Sequence, residues 1–331
     1  MRVAVRLRRV MAPPRGQRGQ HPGMIPHNAI QREPDRDHPR FLVRYWGVRG
    51  SIATPGASTV RYGGNTTCLE IVCDDARFIL DMGTGARVLG AALMRDAPAD
   101  GVTATVLFSH FHSDHVIGFP FFGPLFDPRT RLVIYANAED HVASLDGLRR
   151  VMSYPLFPVE YDTLPASLEI RGVTPGEAFV VAGVTIETCR LRHPGGALAY
   201  RITHRGRTFV HASDVEHVGD ASDPALVALC RGSDWVSYDA MFVEGDEYEC
   251  HRGWGHSTWQ AAVRLLTEAG GGRLIVTHHA PEHDDRFMDQ VAHDVAAARP
   301  GSLVAVEGLE IDLLADDARP PQAWAAEQQR E

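Results

Sequence analysis

Ser109-His110-Phe111-His112-Ser113-Asp114-His115, directly after the apolar run at residues 102–108, decides how this chain folds and what it can do. The run, Val-Thr-Ala-Thr-Val-Leu-Phe, is strand-sized and rich in β-branched residues, so it reads as a buried strand. A loop leaving a buried strand is held rigidly at one end, and four groups able to ligate a metal fall within residues 110–115. Imidazole nitrogens with a carboxylate suit Zn²⁺, or Mn²⁺ and Fe²⁺ where oxygen ligands are more numerous. Alternation along the chain points His110 and His112 one way, while Asp114 and His115, at the turn into a helix, reach a second position. The spacing therefore fits two ions. Chance surface histidines are the bland alternative, and the density of ligands behind a buried strand outweighs it.

A two-ion site needs more ligands, and each further candidate ends another strand-like run. His193 follows residues 185–191, Asp214 follows 208–211, and the pair His278 and His279 follows 273–277. A single histidine in such a place is ordinarily structural, but three equivalent positions beside H-x-H-x-D-H reverse that weighting. Of the adjacent pair only one side chain follows the strand's inward direction, and His278 is preferred. Further strands are expected at 41–48, 67–72, 77–81, 131–135, 199–203, 235–238, 303–306 and 309–313, with helices at 86–95, 139–151, 224–231, 257–269 and 285–298. Strands early and late with helices between predict an α+β fold of two packed sheets covered by helices. Residues 152–167, with Pro155, Pro158 and Pro165 among aromatics, read as an ordered loop near a pocket.

Of the 331 residues 44% are hydrophobic and 23% charged, which excludes a disordered chain. No apolar window approaches the roughly 18 residues of a membrane span. Residues 1–40 carry nine Arg against Glu33, Asp35 and Asp37, a net of +6, which leaves −15 on the remaining 291. Rich in Pro, Gly, Gln and Arg without apolar periodicity, 1–40 reads as a disordered extension, residues 41–314 as one catalytic domain, and 315–331 as a frayed tail. The extension has no apolar core of the kind that marks a secretory signal. An acidic body argues against a nucleic-acid partner, since phosphate binding draws on clustered positive charge. Five cysteines without a C-x-x-C pair, in a chain too long to need disulfide staples, indicate a reducing, cytoplasmic setting.

Further stretches accompany the ligand loop: Gly47-Val48-Arg49-Gly50-Ser51, Gly63-Gly64-Asn65-Thr66-Thr67, Asp81-Met82-Gly83-Thr84-Gly85, His193-Pro194-Gly195-Gly196, Ala212-Ser213-Asp214, Gly255-His256-Ser257-Thr258 and Thr277-His278-His279-Ala280-Pro281. With them the chain resembles the metallo-β-lactamase superfamily from about residue 41 to 314, and His256 resembles the histidine of its ribonuclease Z and phosphodiesterase branch. The resemblance implies a four-layer αββα sandwich with a dinuclear site on one edge. It implies His110, His112 and His193 on one ion, Asp114, His115 and His278 on the other, and Asp214 bridging them.

Asp214 disfavours a true β-lactamase, which resemblance would give Cys or no bridging carboxylate there. A histidine beside the ions can protonate a departing alkoxide or hold a phosphoryl oxygen, so His256 favours a phosphodiesterase; Ser257 or Thr258 would also serve as a helix N-cap. The insertion at 135–169 is short and not basic, unlike the arm of tRNA 3′-processing enzymes. The 21-position spacing from His193 to Asp214 resembles small cyclic-phosphate and cyclic-nucleotide phosphodiesterases.

The expected activity is hydrolysis of a small phosphodiester by a hydroxide shared between two divalent ions about 3.5–4 Å apart. Asp114 or Asp214 would orient it, His256 would assist the leaving oxygen, and Asp81 would support an imidazole from behind. A lactonase or thioesterase of the same fold, or a metal-binding regulatory protein without turnover, are the alternatives. No membrane partner is expected, and a homodimer is compatible with the sequence. Arg49 and Asn65 lie on loops that the resemblance places near the site, where phosphate binding competes with the structural role more usual for a lone Arg or Asn in a Gly-rich turn. Tyr154, Phe157 and Tyr161 either stack on a substrate ring or pack their loop. His211, His217, His251, His283 and His293 read as packing or surface residues, and Asp239 has no assigned role.

Overall fold

The computed structural model describes residues 39–138 and 141–321, with the backbone alone at 141–144. All of the expected N-terminal extension except residues 39–40, and the expected C-terminal tail beyond residue 321, lie outside the described residues.

Two sheets form the centre. The first holds β1 (Phe41–Gly47), β2 (Cys68–Cys73), β3 (Ala76–Leu80), β4 (Thr103–Leu107), β5 (Arg131–Asn137) and β6 (Ser167–Val173). The second holds β7 (Ala178–Val181), β8 (Val184–Leu191), β9 (Ala197–His204), β10 (Arg207–Ala212), β11 (Trp235–Asp239), β12 (Arg273–Thr277) and β13 (Leu303–Val304). The chain then returns to the first sheet with β14 (Glu310–Asp312) and β15 (Asp317–Arg319). Strand order is β15-β14-β1-β2-β3-β4-β5-β6 in one sheet and β13-β12-β11-β10-β9-β8-β7 in the other. The sheet continues past residue 314: β15 pairs antiparallel with β14, so part of the stretch expected to fray has a partner.

Period-two alternation sorts the first sheet's side chains into two layers. Phe41, Val43 and Tyr45 of β1, Phe78 and Leu80 of β3, and Leu107 of β4 enter the core between the sheets. Ile79, Ala104 and Val106 face the other way, onto α1 (Gly85–Arg95) and α3 (His141–Val151), the four-residue α2 (Ser113–Val116) lying between those two in sequence. The second sheet's parallel strands β10 to β13 are apolar on both faces because α4 (Pro224–Cys230), α6 (Trp259–Ala269) and α7 (Asp285–Ala298) cover the side away from the first sheet, α5 (Asp246–Cys250) being a short turn between β11 and α6. The result is the expected α+β, four-layer αββα sandwich. No described helix is long and apolar enough to cross a membrane.

The sequence reading missed β6 and β7. Each is a sheet edge: β6 alternates half-buried Leu168 and Ile170 with exposed Glu169 and Arg171, and β7 is only four residues long with none fully buried. Residues 152–166 form a loop with a single 3₁₀ turn at Tyr161–Thr163. Phe157 packs edge-on against Phe121 and Tyr161 stacks on Phe119, so both serve the loop itself, while Tyr154 is exposed.

Candidate metal centre

Strands β3 to β6 run parallel, as do β10 to β13, and the carboxyl ends of both sets open on the same edge of the sandwich. Loops leaving such ends are where polar groups from different strands converge. Asp81 follows β3, the histidine loop follows β4, His193 follows β8, Asp214 follows β10, Asp239 ends β11 and His278 follows β12. Asp81, Asp214 and His278 take left-handed backbone, with φ of +58°, +58° and +62°. Such conformations cost of order 1 kcal/mol or more for a residue with a side chain, and persist where a site over-determines them. Here each one turns a strand-end side chain back over the edge.

Two groups of ligand atoms that share Asp214 assemble there, beside a third of Asp239, His256 and His278. One comprises His110, His112, His193 and Asp214, the other Asp114, His115, Asp214 and His278, each residue offering an atom within 4.8 Å of the others in its group. Asp214 belongs to both. Its Oδ1 lies 3.1 Å from His115 Nε2 and 3.1 Å from His278 Nε2, whereas Oδ2 lies 3.6 Å from His110 Nε2 and 3.7 Å from His193 Nε2. Asp114 Oδ2 stands 3.3 Å from both His115 Nε2 and His278 Nε2. His112 Nδ1 and His193 Nε2 are 2.9 Å apart, which aims both rings at one point.

The far side of each ring fixes which nitrogen faces inward. His115 Nδ1–H donates to Asp81 Oδ2 at 2.8 Å, since a carboxylate only accepts. Ser109 Oγ donates to the same carboxylate at 2.7 Å, so toward His110 Nδ1, 3.1 Å away, the hydroxyl is left to accept. His193 Nδ1–H donates to Gly255 O at 2.8 Å. Each of these imidazoles therefore turns an unprotonated Nε2 toward the cluster in its neutral form, the arrangement in which histidine ligates metals. Asp114 is held from behind as well, its Oδ2 accepting from Ser51 N at 2.9 Å.

Electrostatics divide the cluster. Burial, reinforced by neighbouring histidines, holds His110 and His193 below the usual imidazole range, and burial does the same to His112. Burial opposes charge on His115 and His278 too, but Asp214 and Asp114 outweigh it, so both are raised, His278 to about 9. Burial would raise Asp114 and Asp214; the facing histidines hold both carboxyls well below their ordinary values instead. Two carboxylates balanced by protons on imidazoles are what a cation replaces. The Nε2 atoms of His110, His115 and His278 are buried without a hydrogen-bond partner, a state native proteins rarely leave unexplained. Orphaned inward nitrogens in an all-His/Asp set fit divalent metal ions.

His256 sits over this cluster. Its Nδ1–H donates to Asp239 Oδ2 at 2.9 Å, its ring stacks on His278 at 5.1 Å, and it meets His193 edge-on at 5.4 Å. The helix behind it is capped by Thr258, whose hydroxyl accepts from Ala261 N. Ser257 Oγ instead contacts His217 Nδ1 and Tyr238 OH, so His256 has no share in the capping. Asp239, a residue without an assigned role in the sequence analysis, anchors His256 and also accepts from Val215 N and Met241 N. Its only signal in the chain is an Asp ending a buried strand. Ser109 and Ser51 carry no sequence signal of their roles, because one acts through a bond behind the ligands and the other through a backbone N–H.

His279 points away from the cluster, its Nε2–H donating to Ala305 O at 2.8 Å, and His278 takes the inward place. Arg49 is fully buried, bonding Gly63 O, Ala280 O and His283 O, and Asn65 bonds Glu307, so both brace loops and neither faces the cluster. His211 is a packing histidine against Ser237, which burial pushes down to about 4.

Gly50 shows how tightly the cluster is packed. A methyl there would collide with the His278 ring and with the Met241 side chain, whereas one at Gly56 would meet only Thr59 at 3.9 Å. Gly50→Ala is expected to weaken zinc affinity, measured by competition with a chelating dye, by about 10–100-fold, as losses of ligand positioning do. Gly56→Ala should leave it unchanged. Equal affinities in the two variants would mean that His278 is not needed for binding.

The chain's residues 76–279 match the family model described as "Beta-lactamase superfamily domain". Ribonuclease BN of Escherichia coli O1:K1 is 25% identical over 272 residues, covering 69% of this chain and 86% of that protein. Among solved structures, the metallo-β-lactamase-fold protein YhfI of Bacillus subtilis superposes with a TM-score of 0.61 at 20% identity, over 83% of this chain and all of that one. Human tRNase Z, short form, superposes with a TM-score of 0.59 at 18% identity, over 82% of this chain and 99% of that one. Together with the sandwich and the His/Asp groups on its edge, these matches place the fold, and the chain belongs to the metallo-β-lactamase superfamily.

Proposed function

We propose that this protein is a dinuclear metal-dependent phosphodiesterase that hydrolyses a small cyclic phosphate or cyclic nucleotide. His110, His112 and His193 would hold one ion and Asp114, His115 and His278 the other, with Asp214 shared between the two groups. The observation that carries the reading is the division of Asp214, whose Oδ1 faces one histidine group and Oδ2 the other. Zn²⁺, or Mn²⁺ or Fe²⁺, held there supplies Lewis acidity at the phosphoryl oxygens and a nucleophilic water at neutral pH.

The chain's own groups then move the protons. Asp114, fixed by Ser51 N, orients the attacking water and accepts its proton as the new oxygen–phosphorus bond forms. His256, oriented by Asp239, gives a proton from Nε2 to the departing alkoxide as the opposite phosphorus–oxygen bond breaks. A phosphodiester needs both transfers, because an alkoxide is a poor leaving group. A thioester, whose thiolate departs without a proton, leaves less for His256 to do.

The Ribonuclease BN likeness favours a second reading, cleavage within RNA. Against it stand the −15 of residues 41–331 and the pairing of arginines with carboxylates around the segment between β5 and β6, Arg149 with Asp162 within it and Arg171 with Glu169 on β6 itself. The five free cysteines, four of them buried, support a reducing, cytoplasmic setting. The deciding experiment is a hydrolysis panel on metal-reconstituted protein: bis-p-nitrophenyl phosphate, 2′,3′- and 3′,5′-cyclic nucleotides, a tRNA precursor, a lactone, a thioester and a β-lactam. We expect the highest kcat/KM on a cyclic phosphodiester. Turnover confined to lactones or thioesters refutes the branch, a preference for the tRNA precursor selects the second reading, and full metal occupancy with no turnover makes the protein a regulatory metal binder.

A further inference from the structure

Beside the metal edge, the turn at residues 251–255 presents an indole to solvent. Trp254 is 62% exposed, and among the described tryptophans it alone has a side chain largely in water, Trp235 being fully buried and Trp46 and Trp259 partly so. Single exposed apolar residues are ordinary. What sets this one apart is how the chain around it is held. Glu216 accepts from Gly253 N at 2.7 Å with one carboxylate oxygen and from Gly255 N at 3.1 Å with the other, clamping the residues on either side of the tryptophan. Both glycines have left-handed backbone, φ +89° and +90°, which a residue with a Cβ adopts only under strain. At Gly255 a Cβ would also collide with the His193 ring and Pro194.

The same turn serves the metal groups. Gly255 O accepts the hydrogen bond of His193 Nδ1–H, and the next residue is His256. On the inner side, His251 meets the Trp254 indole edge-on at 4.7 Å and stacks on Phe242 at 4.4 Å, and Phe242 lies 6.1 Å from His256. The indole is thus set by a ring ladder that ends at His256, while most of its surface has no protein neighbour. A loop that braces a ligand of the first ion and carries the proton donor holds an aromatic surface two residues from that donor.

We propose that Trp254 is a specificity-determining residue whose indole stacks on the nucleobase of a cyclic-nucleotide substrate while the phosphodiester occupies the His/Asp cluster. This rests on the phosphodiesterase reading and narrows its substrate class to diesters that carry a base. Every base has a π face, so stacking rewards the presence of a base more than its identity. The side chain acts in binding, and the bond-making and bond-breaking steps remain those of Asp114 and His256.

The test compares adenosine 3′,5′-cyclic phosphate with its base-free counterpart, 1-O-methylribose 3′,5′-cyclic phosphate, on metal-loaded wild type, Trp254→Ala and Trp254→Phe. Kd is read by calorimetry with the phosphorothioate analogues, and kcat and KM with the diesters. Trp254→Ala should weaken Kd and raise KM for the nucleotide roughly 10- to 100-fold, the range of a lost base–aromatic stack. It should leave the base-free ligand, metal content and melting temperature unchanged, and Trp254→Phe should restore most of the loss. Equal losses on both ligands, no loss on either, or equal wild-type affinity for the two overturns the proposal. Hydrolysis of both diesters with one KM leaves the phosphodiesterase reading intact and removes the role of Trp254. Base-dependent binding without hydrolysis does the reverse, and binding of neither ligand removes both.

Discussion

Asp214→Ala is expected to take a fully loaded preparation from two ions per chain to one or none, and to lower phosphodiester turnover by at least about 10³-fold, the scale on which loss of a central catalytic element is felt. The reason is geometric: the carboxylate places one oxygen 3.1 Å from His115 and His278 and the other 3.6–3.7 Å from His110 and His193, so its removal takes an anionic ligand from both groups at once. Asp214→Asn keeps the shape, and its amide still offers one oxygen, so one ion should be retained with weaker affinity. Elemental analysis gives the occupancy directly. Because ions bound only to the folded state stabilise it by mass action, wild type should melt well above its chelated form and the alanine variant should show little difference. Undiminished occupancy in Asp214→Ala would sink the bridging assignment.

The parts of this centre that could be read in the sequence are those whose signal is local. His110, His112, Asp114 and His115 declare themselves by density behind a strand, and His193, Asp214 and His278 by recurrence at strand ends. Choosing His278 over His279 followed from strand alternation, and the structure turns His279 to Ala305 O. What was illegible is carried by contacts distant in sequence or made by the backbone. Asp239 gains its role only because β11 lies between β10 and β12, which brings it 2.9 Å from His256. Ser51 acts on Asp114 through a peptide N–H that any residue would supply. The edge strands β6 and β7 lack the buried stripe that reveals a strand, and pairing of β14 with β1 joins residues some 270 positions apart, beyond any local pattern. Arg49 shows the converse limit. In a Gly-rich loop a lone Arg is more often structural than a phosphate ligand, and its burial under three carbonyls shows the packing role that sequence alone leaves open.

His256→Ala is expected to keep both ions and to lower the rate on a cyclic nucleotide by roughly 10²–10⁴-fold, the contribution of a positioned general acid. On bis-p-nitrophenyl phosphate the loss should be much smaller, because p-nitrophenolate departs without a proton. Asp239→Asn tests the same unit from behind. A carboxylate only accepts, whereas an amide can donate to His256 Nδ1 and so turn the ring to the other tautomer, which leaves no proton on Nδ1 and changes what Nε2 can do. The two residues act in series, so the double variant should be little worse than either single one, an interaction that independent contributions would not produce. Metal analysis must accompany each rate, since Asp239 Oδ1 also lies 3.9 Å from His278 Nδ1. Equal losses on both leaving groups would make His256 a phosphoryl holder instead of a proton donor. Loss of an ion from His256→Ala would make it a ligand, joining the Asp239, His256 and His278 grouping that the fold also brings together. Retained metals with a leaving-group-dependent loss is the one outcome that separates a phosphodiesterase from a metal-binding sandwich with a histidine at its rim.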